Sequence, residues 1–402
     1  MKIRTITCFS DPGWPLEVDE LRRLGKFITS IRAEFESAGY EVQTVRLATI
    51  PFPQLIPDGS SDSLVELARS LEDLGLAAGF DYLSLGPALP EHPHSYQAVP
   101  AALGATENVF FSGSLSTGSG EISLTAAHAC AEIIQKASSI TQDGFTNLRF
   151  AALANVPSGA PFFPAAYHAP GAPTFALGMQ AADLAVEAVA DAKTLHECRE
   201  NLVEQVEKHA SRLTRIAQDS SRGQDIKFDG IDFTLAPFPE VDQSIGAAIE
   251  GLGIARVGQH GSLAAAAFLT NSLKSANFQK TGFNGLFTPV LEDAVLAARA
   301  AEGTLTITDL LLYSAVCGTG LDVIPLPGDT SAAQIYPLLL DLAALAHRLD
   351  KPLTARLMPL PGKAVGDATE FDFPFFANSR VMQLEAQSMA GILNEDQFLD
   401  IS

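Results

Sequence analysis

The sequence predicts an α/β protein organised around a mostly parallel sheet, either closed as a barrel or open and doubly wound. Short apolar runs of strand length alternate with helix-period segments almost from one end of the 402 residues to the other. Hydrophobic residues make up 47% of the chain and charged residues 18%, which supplies a large core and lies far from the composition of disorder. No charge run, low-complexity tract or internal repeat marks a boundary, so one domain over residues 1–402 is expected.

Taken in order, Ile3–Phe9 reads as a strand and Val18–Ala38 as an amphipathic helix. Val42–Leu47 is the next strand, followed by a helix over Ser63–Ala78 with a capping residue at Ser61 or Asp62. Tyr82–Leu85, Val109–Phe111 and Phe150–Leu153 continue the strands, with a helix at Leu124–Ala137 between the last two. After a strand at Phe175–Leu177 comes a long helical pattern from Ala181 to about Gln218 whose charged face points to an exposed or partner-packed hairpin. The second half repeats the alternation. Strands are expected at Ile231–Leu235, Gly285–Pro289, Val323–Leu326 and Thr354–Leu360. Helices are expected at Ile245–Leu252, Leu263–Leu273, Glu292–Ala301, Thr308–Val316 and Ala332–Leu349. Roughly nine or ten strands result, more than the common eight-stranded barrel needs.

Twenty-six basic against 47 acidic residues give a formal charge of −21. Such a field repels phosphate backbones and anionic lipid, which argues against nucleic-acid or membrane partners. The amino terminus carries too short an apolar run for a secretory signal, and no stretch approaches a membrane span. Cysteines stand alone at positions 8, 130, 198 and 317. Scattered thiols in a core-rich chain fit a reducing, cytoplasmic setting and exclude a paired-cysteine zinc site.

In parallel α/β folds, ligands gather where strands feed helices. The run Tyr313-Ser-Ala-Val-Cys-Gly-Thr-Gly-Leu-Asp-Val-Ile-Pro-Leu-Pro-Gly-Asp-Thr330 concentrates a thiol, two carboxylates and three glycines in one such place. Cys317 is a candidate nucleophile, although a buried inert thiol is the commoner fate. Gly318 and Gly320 allow close backbone approach, and Gly328, Thr330 and the helix start beyond them offer free N–H groups. Asp322 and Asp329 are candidate orienting or cation-holding groups. Residues Ser112, Gly113, Ser114 and Gly118, in a glycine- and serine-rich loop before a helix, make a candidate anion cradle. The loop matches no nucleotide-binding pattern, and a flexible, well-capped turn explains it equally. Gly258, His260, Gly261 and Ser262 form a similar candidate, against the reading of an ordinary surface turn.

Pro161-Phe-Phe-Pro-Ala-Ala-Tyr-His168 puts two phenylalanines between prolines, a stiff apolar segment suited to walling a pocket. His168 is a candidate acid or base and Tyr167 a candidate polarising group, against a histidine satisfied by packing. Asp232 lies inside an apolar strand, where a carboxylate is costly unless paired, protonated or metal-bound; an outward position on an alternating strand is the plainer explanation. Glu292 and Asp293 read most simply as acids favoured in a first helical turn. The histidines of Glu91-His-Pro-His94 lack a third ligand that the sequence can place.

These segments together resemble the family known as domain of unknown function 711, or uncharacterised protein family 0210. Pro161–His168, Asp232-Phe-Thr-Leu-Ala-Pro237, Gly258-Gln-His-Gly-Ser262, Gly282-Phe-Asn-Gly285, Pro289-Val-Leu-Glu-Asp293, Val316–Thr330, Ala355-Arg-Leu-Met-Pro-Leu-Pro-Gly362 and Gly366-Asp367 carry the likeness. The resemblance implies a single large α/β barrel of about ten strands, similar to the pyruvate formate-lyase-like barrel of glycyl radical enzymes. It supplies no settled activity. The radical-bearing glycine of those enzymes is missing from the corresponding stretch, Phe371-Asp-Phe-Pro-Phe-Phe-Ala-Asn-Ser-Arg-Val-Met382, which argues against radical chemistry.

The function expected from the residues is that of a cytoplasmic enzyme, of hydrolase or lyase type, acting on a small anionic metabolite. His168, Tyr167, Cys317 and Asp322 would carry acid–base or thiol chemistry. Asp232 and Asp329 would hold a divalent cation such as magnesium, manganese or calcium if one is used. The rival readings are a non-catalytic metabolite sensor built on the same pocket, and a scaffold using the long helix as a surface for homodimers or higher homo-oligomers.

Overall fold

A computed structural model describes residues 1–401. In chain order its strands are β1 (Lys2–Ser10), β2 (Val42–Thr49), β3 (Tyr82–Ala88), β4 (Val109–Ser114), β5 (Ile122–Ser123), β6 (Phe150–Ala154), β7 (Thr174–Gln180), β8 (Lys227–Ala236), β9 (Gly320–Pro327), β10 (Leu353–Leu360) and β11 (Phe398–Leu399). All but β5 and β11, which pair with each other, join one nine-stranded sheet in the order β8-β7-β1-β2-β3-β4-β6-β10-β9. Strands β1, β2, β3, β4 and β6 are mutually parallel. At either end of that block the direction reverses: β7 joins β1 and β10 joins β6 antiparallel. The outer pairs β7–β8 and β9–β10 are parallel again. The sheet is therefore mixed α/β and mostly parallel, as the alternating pattern predicts.

Between the outer strands β8 and β9 runs the segment 280–289. It makes isolated parallel bridges to both, Ile231 with Lys280 and Leu235 with Leu286 on one side, Pro289 with Asp322 on the other. The Leu235 N–H donates to the Gly285 carbonyl and the Val290 N–H to the Asp322 carbonyl, both at 3.1 Å. A regular strand over Gly285–Pro289 does not form. Positive φ at Gly282 (72°) and Asn284 (47°) breaks the extended backbone, and Pro289 has no N–H to give to a ladder.

One face of the sheet packs on helices. Ile6, Cys8, Leu47, Leu83, Leu321 and Leu353 enter the main core there, together with the buried stripes of the surrounding helices. Residues on the other face, such as Thr44, Arg46, Tyr82, Phe110 and Arg356, line a cavity. This period-two division places the charged cavity and the main core on opposite sides of the same strands.

Most expected helices are present, including Val18–Ser37, Ser61–Ala78, Leu124–Ser138 and Ala332–Arg348. The long pattern from Ala181 divides into Ala182–Ala190 and Leu195–Ser221. The division falls at Thr194, whose hydroxyl accepts the Glu197 N–H at 3.1 Å and so caps the second helix. That helix buries Cys198, Leu202, Val206, Ala210, Leu213 and Ala217 within its own chain. A further helix, His94–Ala105, was not expected because Pro93 and Pro100 bracket its first half and speak against helix. No helix among the described residues is long and apolar enough to cross a membrane.

Candidate functional site

Three arginines converge on the face of the sheet away from the helices. Arg4 comes from β1, Arg46 from β2 and Arg356 from β10, and all line a cavity that is partly open to solvent. Tyr82, Phe110, Phe162, Phe163, Phe287, Phe373 and Phe375 supply most of its remaining wall. A smaller compartment shares Phe162, Phe163 and Phe287 and adds Thr234, Thr319, Asp322 and Thr354.

Two strand irregularities accompany these charges. On β1, Ile3 pairs with Met179 and Thr5 with Gly178, so Arg4 is an extra residue without a partner on β7. On β9, Leu321 pairs with Ala355 and Ile324 with Leu357, so Asp322 and Val323 together stand opposite Arg356. Bulges of this kind re-aim side chains. Val323 has φ 42°, a left-handed conformation that is strained for a β-branched residue.

The side chains form one ionic network. Arg356 donates from Nε to Asp322 Oδ1 and from Nη2 to Asp322 Oδ2, both at 2.6 Å, the fork geometry that favours guanidinium over ammonium. Its Nη2 also donates to Glu292 Oε1 at 3.0 Å, while Arg4 Nη2 donates to Glu292 Oε2. Glu292 thus joins β1 and β10, which stand third and eighth in the sheet order. Burial pushes the Asp322 carboxyl up to about 6, against the opposing pull of the Arg356 charge.

Arg46 stands apart from these pairs. Its Nε donates to Thr44 Oγ1 at 2.9 Å. Its guanidinium lies 5.1 Å from the Phe163 ring centre and 5.7 Å from that of Tyr82, and no carboxylate among the described residues pairs with it. Burial, with Arg4 close by, pushes it down to about 9, still a cation at neutral pH. Three guanidinium groups face two carboxylates, which leaves one uncompensated positive charge in an aromatic cavity of a chain whose formal charge is −21.

Of the candidate catalytic, binding and metal residues named from the sequence, Asp322 is the one that enters this network. Phe162 and Phe163 of the Pro161–His168 segment form cavity wall, but the two polar residues at its end are engaged elsewhere. The Tyr167 hydroxyl donates to the Val156 carbonyl at 2.9 Å. His168 is 6% exposed, stacks on Phe9 at 6.5 Å and has Nε2 at 3.4 Å from the Gly171 carbonyl; burial pushes its ring down. Cys317 is buried in the main core, and its carbonyl accepts from Lys351 Nζ.

Asp232 accepts the Thr234 N–H at 3.0 Å, the Thr234 hydroxyl at 2.6 Å, the Phe283 N–H at 2.7 Å and the Asn284 N–H at 3.0 Å, tying β8 to the 280–289 segment. Asp329 is exposed. No three His, Cys, Asp or Glu side chains among the described residues gather into a cluster able to hold a metal.

The glycine-rich loops lie outside the cavity. Ser112 is buried, Gly113 packs against Cys130, and Ser114 Oγ donates to the Ser116 carbonyl at 2.8 Å. The Gly118 N–H already donates to Glu91 Oε1 at 2.8 Å, so a carboxylate of the chain itself occupies that donor. Gly258 donates to Ser262 Oγ at 3.2 Å, while His260 and Gly261 are exposed. Gly318 lies against Gly285, where an added Cβ would come within 2.8 Å of the facing Cα. Gly320 and Gly328 meet the backbone at Thr354 and Leu360, and Thr330 is buried beside them.

Arg4, Arg46, Arg356 and the inward role of Glu292 were missed in the sequence, although a signal existed. Each arginine interrupts an apolar strand, in Ile3-Arg-Thr5, Val45-Arg-Leu47 and Ala355-Arg-Leu357. A guanidinium so placed must find a partner or a cavity. Glu292 was read as a first-turn acid, yet the helix begins at Ala294 with Asp293 as its cap, so Glu292 precedes it and turns inward.

The sheet and its contents define an α/β protein that encloses an arginine-rich ionic network behind aromatic walls. The chain belongs to the family described as Uncharacterised ACR (DUF711), whose model matches residues 1–379. It is 36% identical over 353 residues to a UPF0210 protein of Pyrobaculum aerophilum, covering 82% of this chain and 76% of the relative. A UPF0210 protein of Methanosarcina acetivorans is 29% identical over 368 residues, covering 86% of this chain and 79% of the relative. One from Neisseria meningitidis serogroup A is 30% identical over 373 residues, covering 88% and 82%.

Proposed function

We propose that the cavity binds a small organic anion with an apolar body, and that the protein is an enzyme acting on that molecule. Arg46 carries this reading: a cation enclosed by aromatic rings without a carboxylate partner invites an anionic ligand. The phenylalanine walls favour an organic acid over a bare inorganic ion. Asp322 is the candidate acid–base group, since its raised pKa places proton transfer near neutral pH and its side chain borders the cavity. We place the cavity inside a ten-membered α/β barrel in which the 280–289 segment acts as the tenth staff. The bridges of that segment to β8 and β9 support this arrangement.

Calorimetric titration of the full chain with benzoate, phenylacetate and inorganic phosphate tests the reading. An organic acid is expected to bind, and Arg46→Met to weaken it tenfold or more, in line with about 1.5–3 kcal/mol for a charge-assisted hydrogen bond. Equal affinity in the variant, or no binding of either carboxylate, would sink the proposal. The alternative is a sensor that binds without turnover. It is favoured if a bound acid is recovered unchanged, by mass spectrometry, after long incubation.

A further inference from the structure

Gln43 lines the cavity beside Arg4 and Arg46, and its side chain begins a relay of amides that runs to the protein surface. Gln43 Nε2 donates to Gln180 Oε1 at 2.7 Å, Gln180 Nε2 to Gln243 Oε1 at 2.9 Å, and Gln243 Nε2 to Glu240 Oε2 at 2.6 Å. An amide can ordinarily be turned over, exchanging its oxygen and nitrogen. Here it cannot. Glu240 is exposed and, when ionised, only accepts. Gln243 must therefore donate to it, which leaves the Gln243 oxygen to accept from Gln180, and the Gln180 oxygen to accept from Gln43. The carboxylate at the surface thus fixes which atom of Gln43 is left over at the inner end of the relay. That atom is Gln43 Oε1, and it is buried without a hydrogen-bond partner.

A buried acceptor left unpaired is costly. We infer that Gln43 is a specificity-determining residue which selects ligands carrying a hydrogen-bond donor in addition to their anionic group. The surplus positive charge contributed by Arg4, Arg46 and Arg356 works against an ammonium donor, so the matching group is neutral, a hydroxyl or a carboxamide. With phenylalanine walls between the two recognition points, the ligand class is a hydroxylated organic acid with an apolar or aromatic body. This rests on the anion-binding reading of Arg46 and adds the second contact.

The probes are benzoate, the three hydroxybenzoates and the three methoxybenzoates, titrated calorimetrically into the full chain. A methoxy group has an oxygen but no proton to give. At least one hydroxy isomer is expected to bind about tenfold tighter than both benzoate and its methoxy counterpart. Gln43→Met keeps the length of the side chain and removes the acceptor; it should abolish the advantage of the hydroxy isomer over benzoate and over its methoxy counterpart. Glu240→Gln changes only a surface residue and lets the relay adopt either polarity, so it should shrink the advantage without touching the cavity. It also keeps the question answerable should Gln43→Met fail to fold, which circular dichroism would reveal. Absence of any hydroxyl preference in the parent chain, its survival in Gln43→Met, or an undiminished preference in Glu240→Gln overturns the role of Gln43 while the anion site stands. Loss of benzoate binding from the parent chain, or indifference to Arg46→Met, defeats the anion reading itself.

Discussion

At the scale of single residues, Glu292 and Asp322 divide the work of neutralising Arg4 and Arg356, and the balance among them changes with pH. Burial raises the Asp322 carboxyl to about 6 although Arg356 holds it with two hydrogen bonds. Protonation removes a negative charge from beside Arg356, so the cavity becomes more positive as pH falls. A carboxylate probe such as benzoate stays ionised over the window from about pH 7.5 to 5.5. Its affinity is therefore expected to rise roughly threefold to tenfold on lowering the pH through that window. Asp322→Asn should flatten the profile, and titrations at stepped pH decide the matter. A parent profile that is flat or falls with acidity would show that Asp322 stays ionised throughout. The same residues mark the limit of what the sequence discloses. An arginine inside an apolar strand announces that something must meet it, but Arg4 and Arg356 lie hundreds of positions apart, and only the folded chain brings both to Glu292.

At the scale of elements, adjacent acids serve opposite ends. Glu292 turns into the cavity, while Asp293 caps two helices at once. Its Oδ1 accepts the Val295 and Leu296 N–H groups, both at 2.9 Å, at the start of helix Ala294–Glu302. Oδ1 also accepts the Ser244 hydroxyl at 2.6 Å, and Oδ2 accepts the Ile245 N–H at 2.7 Å, at the start of helix Ile245–Gly251. Asp293→Ala leaves these buried donors without an acceptor and is expected to destabilise the fold by about 2–4 kcal/mol. Urea unfolding followed by circular dichroism checks this, and a loss below about 0.5 kcal/mol would mean that water replaces the carboxylate. Helices and strands of this kind were largely legible from periodicity, because their buried faces repeat at 3.6 or 2 residues. The exceptions have local causes. Thr194 divides a pattern that reads as one helix, and the prolines of His94–Ala105 conceal another. Gly285–Pro289 reads as a strand, but it follows the positive-φ residues Gly282 and Asn284 and makes only isolated bridges. The glycine-rich loops were conspicuous for their composition, yet they serve turns and backbone crossings, and the cavity draws its arginines from the strands.

At the scale of the whole molecule, the question is whether β8 and β9 are true edges. A strand at the edge of an open sheet leaves one row of backbone groups to solvent. Both terminal strands are instead buried along nearly their whole length, and the segment between them engages each. The Ile231 N–H donates to the Gln279 carbonyl at 2.9 Å, the Leu235 N–H to Gly285 at 3.1 Å, and the Gly318 N–H to Leu286 at 3.3 Å. Glu292, reaching Arg4 on β1 and Arg356 on β10, draws together strands that an open, flat sheet would hold about 24 Å apart, at about 4.8 Å per strand step. The proposed closure would account for all of these at once, and it would give the arginine cluster an interior in which to be desolvated. Hydrogen exchange distinguishes the two architectures. In a closed barrel the amides of Ile231, Leu235, Val290 and Gly318 belong to the cooperative core, and peptides spanning 228–236 and 279–291 should exchange as slowly as the peptide covering β1. In an open sheet those same peptides would fray and exchange orders of magnitude faster than β1, and the cavity would lie in a groove. The anion site would then need a partner surface to exclude water, and Arg46 would lose the enclosure on which its affinity for an organic acid depends.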